Sequence, residues 1–313
     1  MTLTKNIKFR NFNIKKPKKK IASLFKELIN NNSSIIESMS KTYRDSFKKK
    51  NISKYKKHSN IVLIGMGGSI MGAKAIYNFL GDKIKKNFCF VDNFDEDKIK
   101  KIKSKKNLNL IISKSGNTLE TIVNSNILLK RKQTNLILTE NNQNYLRKLA
   151  ENLKSEIIDH NNFIGGRYSV LSEVGMVPAY FMGLNINNFR KFNDLIKNKN
   201  FINSLIKNVS QILNLNKKKK FNSIILNYDE ESDDLFKWYQ QLIAESLGKK
   251  SRGLLPLISS LPRDNHSMMQ MYLDGPKNCF YTFFDVLDNS KNNRLSKIKL
   301  SQKQATKNIF NRK

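Results

Sequence analysis

The sequence predicts an α/β protein with parallel sheets, and three observations carry that prediction. From Asn60 onward, short apolar runs alternate with longer amphipathic ones, the pattern of repeated βαβ units. Some of these runs end in loops rich in Gly, Ser and Thr, where open α/β sheets hold their ligands. The chain has 313 residues, 39% of them hydrophobic, which suffices for a substantial core and for about two domains.

In chain order, residues 1–55 are expected to form a basic helical arm. Basic runs at 15–20 and 48–50 bracket a stretch, 21–39, whose apolar residues recur at helical spacing. The first α/β domain is expected over 56–200, with strands at 61–66 (IVLIGM), 88–92 (FCFVD), 108–113 (LNLIIS) and 134–139 (TNLILT). Helices follow most of these strands, and right-handed crossovers lay them on both faces. The stretch 187–220 is rich in Asn and Lys and contains the expected boundary. A shorter domain of the same architecture is expected over 201–313, with a strand at NSIILNY (222–228), a helix over Asp233–Leu247, a strand at CFYTFFDV (279–286) and a closing helix at 302–310.

The net charge of +33 raises the question of a nucleic-acid partner. Lys is spread over the whole length and far outnumbers Arg, whereas a nucleic-acid reader concentrates Arg for bidentate contacts. No specific nucleic-acid partner is expected; the positive field instead favours encounter with anionic substrates. No apolar run approaches the roughly 20 residues of a membrane span, and the charged N-terminus has no apolar core of a secretory signal, so a cytoplasmic protein is expected. Cys89 and Cys279 lie in apolar runs and are expected to be free thiols. With three His and no CxxC spacing, neither a metal nor another cofactor is expected.

Two loops carry chemistry. GMGGSIMG (65–72) follows a strand and opens a helix, so its glycines can bring backbone N–H groups close to an anion at a helix N-terminus. Ile70 stands where a dinucleotide fingerprint needs its third Gly, and no Lys-Ser/Thr pair makes it a Walker loop. SKSGNTLET (113–121) also ends a strand. There the hydroxyls of Ser113, Ser115 and Thr118 can donate to phosphate oxygens while Gly116 lets the loop turn. A plain helix cap by Thr118 is the competing use of the same residues.

These loops together with GGRYSVLSEVG (165–175), AESLGK (244–249) and DNHSMMQ (264–270), in this order, resemble the glucose-6-phosphate isomerase family over about 60–276. The resemblance implies two sugar-isomerase type, flavodoxin-like three-layer domains with parallel sheets. It implies that Gly68, Ser69, Ser113, Lys114, Ser115 and Thr118 bind the substrate phosphate, that Glu245 is the catalytic base and that Arg167 stabilises the charged intermediate. His266 matches the ring-opening residue. The implied reaction interconverts glucose 6-phosphate and fructose 6-phosphate through a cis-enediol, in a homodimer whose active site is shared between subunits.

The residue chemistry agrees with those roles. Such an isomerisation needs a carboxylate beside C1 and C2, buried enough to return the proton it takes, and Glu245 ends an apolar helix segment. Arg167, behind two glycines, can approach an enediolate oxygen; His266 is the natural proton shuttle near neutral pH. Simpler uses exist: a solvated Glu245, a capping His266 and an Arg167 paired with Glu173. Two alternatives to the implied activity are an isomerase that also accepts mannose 6-phosphate and a non-catalytic sugar-phosphate sensor; retention of Glu245, Arg167 and His266 together argues against the sensor. The family's final helix, with a Lys after an Asn-Pro-x-Asp-Gln-like turn, has no counterpart in LSQKQATKNIFNRK (300–313), and Lys313 has no matching surroundings. The second domain is therefore expected to be C-terminally incomplete.

Overall fold

The computed structural model describes residues 17–31, 33–103, 106–286, 303–308 and 310, which divide into two compact units after Ser210. Positions 1–16 and 32 of the expected arm, positions 302 and 309 of the expected closing helix and Lys313 lie outside the described residues.

The expected helix over 21–39 is two helices, α1 (Lys19–Asn30) and α2 (Ser34–Ser38). Ser33 ends the continuity: its hydroxyl accepts from the Ile36 N–H at 3.4 Å and caps α2, a use of Ser that competes with an uninterrupted helix. After α3 (Lys49–Ile52) and a 3₁₀ turn at Ser53–Lys57 comes an α/β succession: β1 (Asn60–Ile64), α4 (Met71–Phe79), β2 (Asn87–Val91), α5 (Glu96–Lys103), β3 (Leu108–Ile112), α6 (Leu119–Leu128), β4 (Thr134–Glu140), α7 (Tyr145–Leu153) and β5 (Glu156–His160). The segment following β5 leads into α8 (Glu173–Phe181), α9 (Phe192–Lys197) and α10 (Lys199–Lys217), and α10 continues across the division of the chain.

All five strands are parallel in the order β2-β1-β3-β4-β5, the flavodoxin-like doubly wound arrangement, so the topological switch lies between β1 and β3. Alternate residues serve opposite faces. Ile61, Leu63, Leu110 and Leu136 join α4 and α8 in one core, with Phe47, Ile52 and Tyr55 from the expected arm region packed in; Val62, Ile64, Ile111 and Ile137 join α5, α6 and α7 in the other. Every residue of α8 is buried, as its nearly uninterrupted apolar sequence requires. One polar pair interrupts the second core: Asn109 and Asn135 are register partners on β3 and β4, and the Asn109 amide donates to Asn135 Oδ1 at 2.8 Å.

The second unit carries β6 (Asn222–Asn227), α11 (Asp233–Leu247), β7 (Leu255–Ser260), α12 (Met269–Asp274) and β8 (Cys279–Phe284). These strands are parallel in the order β7-β6-β8, with a small core of Ile224, Leu226, Tyr228 and Leu261. Residues 303–308 are helical. Cys89 and Cys279 are free thiols.

Candidate functional site

The switch point places the two chemical loops side by side. Gly65 follows β1 and its backbone N–H donates to Val91 O at 3.2 Å, while Ser113 follows β3 and donates to Leu138 O at 3.1 Å. At Gly68 a side chain is excluded: a Cβ there would sit 2.2 Å from the Gly166 carbonyl carbon and 2.7 Å from the Arg167 nitrogen. That backbone contact brings Arg167 beside the 65–72 loop that contains Ser69. Ser169 secures the contact, its hydroxyl donating to Gly166 O at 2.6 Å. Arg167 is the second residue of the 3₁₀ turn Gly166–Leu171, is half-buried, and holds its guanidinium carbon 4.6 Å from the Tyr168 ring centroid. Glu173, the alternative partner considered for Arg167, accepts from the Tyr43 hydroxyl at 2.9 Å and the Ser46 N–H at 3.1 Å.

In the second loop, Ser113 Oγ and Thr118 Oγ1 lie 3.0 Å apart, and Ser115 Oγ accepts from the Asn117 N–H at 3.2 Å. Thr118 occupies the N-cap position of α6, yet its side chain makes no cap hydrogen bond. The leading N–H groups of α6 therefore keep no Thr118 cap, and the hydroxyl points its chemistry toward Ser113. Gly116 has φ +65, and a Cβ there would lie 2.1 Å from Asn144 Oδ1. Asn144 is a prop that the sequence reading missed. Its amide reaches Thr139 Oγ1, Glu140 O and Asn142 O while its own Oδ1 caps α7. An Asn directly before the amphipathic YLRKLAENL was the available signal.

Lys114 is placed differently from the other loop residues. Its ammonium donates to Asn162 O at 2.9 Å and pairs with Glu140 Oε1 at 3.1 Å, tying the 113–118 loop to the turn that precedes Gly165. Neither partner was foreseen, because both arrive from other strand ends.

Glu245 and His266 belong to the second unit. Glu245 lies in the last turn of α11, and its Oε1 accepts from the Gln241 amide at 2.8 Å. The burial expected for it is not found: the side chain is exposed. Helix phase explains this. Gln240, five positions earlier, donates to Pro256 O of β7, and five residues turn a helix by about 140° beyond one revolution, away from the sheet. His266 is exposed just after the 3₁₀ turn Arg263–Asn265, its N–H donating to Arg263 O at 3.2 Å. The neighbouring Asp264 accepts from the Ser260 N–H at 2.8 Å, capping the end of β7.

The doubly wound parallel sheet with paired glycine- and hydroxyl-bearing loops at its switch point is a flavodoxin-like α/β fold, shared with a solved protein of Thermus thermophilus at a TM-score of 0.73 and 21% identity, over 93% of this chain and 79% of that one. The sequence pattern of the phosphoglucose isomerase family matches residues 16–255, and the chain belongs to that family of aldose–ketose isomerases. A glucose-6-phosphate isomerase of Methanocaldococcus jannaschii is 35% identical over 84% of this chain and 73% of its own length. One of Campylobacter jejuni is 32% identical over 74% of this chain, which spans 62% of that relative. Among the described residues, no helix is long and apolar enough to cross a membrane.

Proposed function

We propose that this chain interconverts glucose 6-phosphate and fructose 6-phosphate in the cytoplasm, as a homodimer with a shared active site. The observation that supports the reading is the packing of Gly68 on the Gly166–Arg167 backbone, which holds the segment bearing Arg167 against the 65–72 loop. Ser69, Ser113, Ser115 and Thr118, with loop N–H groups, hold the phosphate; Lys114 offsets the Glu140 charge beside it. Glu245 takes the proton from C2 of the open-chain aldose and returns it to C1 through a cis-enediol, while Arg167 stabilises negative charge on the intermediate. His266, contributed by the neighbouring subunit, moves the proton for ring opening. Closure of the dimer around the sugar supplies the enclosure that exposed Glu245 needs for efficient proton return.

The test is conversion of fructose 6-phosphate to glucose 6-phosphate by the purified chain and by Glu245→Gln. The amide keeps the shape without accepting a proton, so kcat is expected to fall by about 10²- to 10⁴-fold. Affinity for a hexitol 6-phosphate should stay nearly constant. Full turnover in Glu245→Gln would remove Glu245 from the role of base.

A further inference from the structure

Glu173 is a carboxylate that the proposed chemistry does not use, yet it is only 1% exposed. It is the first residue of α8, directly beyond the turn that carries Arg167. Burial alone would raise its pKa; the facing His160, the backbone N–H groups of Glu173 and Ser46, and the Tyr43 hydroxyl outweigh burial and hold the carboxyl below its ordinary value. Burial and the Glu173 charge conversely push the Tyr43 hydroxyl up, so it remains a donor.

The partners come from separate segments and converge on one place. Tyr43 and Ser46 approach Glu173 from the stretch before α3. His160, at the end of β5, sets Nδ1 at 3.7 Å from Glu173 Oε2 and Nε2 at 3.2 Å from Ile164 O, so the same ring touches the backbone leading into Gly165. On the other side of Ser172, Arg190 donates to Leu171 O at 3.0 Å and to Asp45 Oδ2 at 2.9 Å, with its guanidinium 4.8 Å from the Tyr43 ring centroid. Residues 43–46 are thus fastened to Leu171 and to Glu173, and the Gly166–Leu171 turn ends between those fastenings.

We propose that Tyr43 and Glu173 are positioning residues that fix the Arg167 segment against the phosphate loops. A buried carboxylate met by donors from another segment has one favourable arrangement, and displacement leaves charge and donors unpaired inside the protein. The clamp therefore governs where the Arg167 segment sits, while the backbone of the cup at 113–118 stands on β3, α6 and the Asn144 prop, outside the clamp's own hydrogen bonds. Only the kinetic readout of this inference rests on the isomerase reading.

The experiment compares wild type, Glu173→Gln and Tyr43→Phe, the last removing a single hydroxyl and keeping the ring on Arg190. Hydrogen exchange at the 166–172 amides should accelerate in both variants, with 113–118 unchanged. A phosphorylated aldonate, whose carboxylate mimics the enediolate, should bind roughly five- to tenfold more weakly, the scale of one ordinary net hydrogen bond. A hexitol 6-phosphate, which offers no such charge, should bind within about twofold of wild type. Where wild type turns over, kcat should fall with the aldonate affinity and KM should hold. Unchanged exchange at 166–172, or equal weakening of both ligands, overturns the clamp. A wild type without turnover overturns only the isomerase reading, because exchange and the ligand pair still judge the clamp.

Discussion

The two units use the same parallel-strand plan and cover it very differently. In the first, all five residues of β3 are buried and helices lie against both faces. In the second, Leu255 and Leu257 of β7 are 53% and 37% exposed, and no residue of β8 is fully buried. The difference is reflected in the candidate residues. Those expected to hold phosphate stand on backbone that its surroundings over-determine, as at Gly68 and Gly116, whereas Glu245 and His266 stand on outward surfaces. The backbone of the candidate phosphate loops is fixed by its surroundings in one unit; the candidate acid–base residues of the other are exposed.

The sharpest way to break this contrast is to cut the same side chain in each sheet. Leu110→Ala, at a site with 0% exposure, should cost about 3–4 kcal/mol in denaturant unfolding, through lost burial and the cavity left behind. Leu257→Ala should cost less than about 1 kcal/mol because much of its surface already meets water. Equal costs would mean that the sheets are equally consolidated. A smaller effect is expected from Gly116→Ala: left-handed backbone strain and overlap with the firmly bonded Asn144 should cost about 1–3 kcal/mol and weaken hexitol 6-phosphate binding, read by calorimetry. The smallest effect concerns acid. Glu173 has a folded pKa below its unfolded value, so its contribution is fully present above about pH 4.3 and is lost as pH falls through the folded value. Urea midpoints of Glu173→Gln should therefore change less than those of wild type on going from neutral pH into that acidic range.

Strands with long apolar runs were legible in the sequence: β1, β3 and β4 start and end within a few residues of where IVLIGM, LNLIIS and TNLILT placed them. β5 was not, since EIIDH offers two adjacent apolar residues between charged ones, and β7 was hidden by the Pro in LPLISS. The placement of the candidate loops was legible where glycine and hydroxyl spacing is local, as at 65–72 and 113–118. It was illegible where the deciding partner lies far along the chain, as with Lys114 and Asn162 or Tyr43 and Glu173. The exposure of Glu245 depended on the rotational phase of α11, which an apolar count along FKWYQQLIAES does not reveal.

The Asn109–Asn135 pair has a bearing on this geometry that goes beyond filling space. Both residues are nearly inaccessible, and they stand opposite each other in the β3–β4 register. A slip of one residue would bring leucines opposite amides and leave buried polar groups without partners. The pair acts as an index mark on the sheet: four residues beyond Asn109 lies Ser113, so the height at which the hydroxyl loop emerges is set by an amide contact one full strand length beneath it.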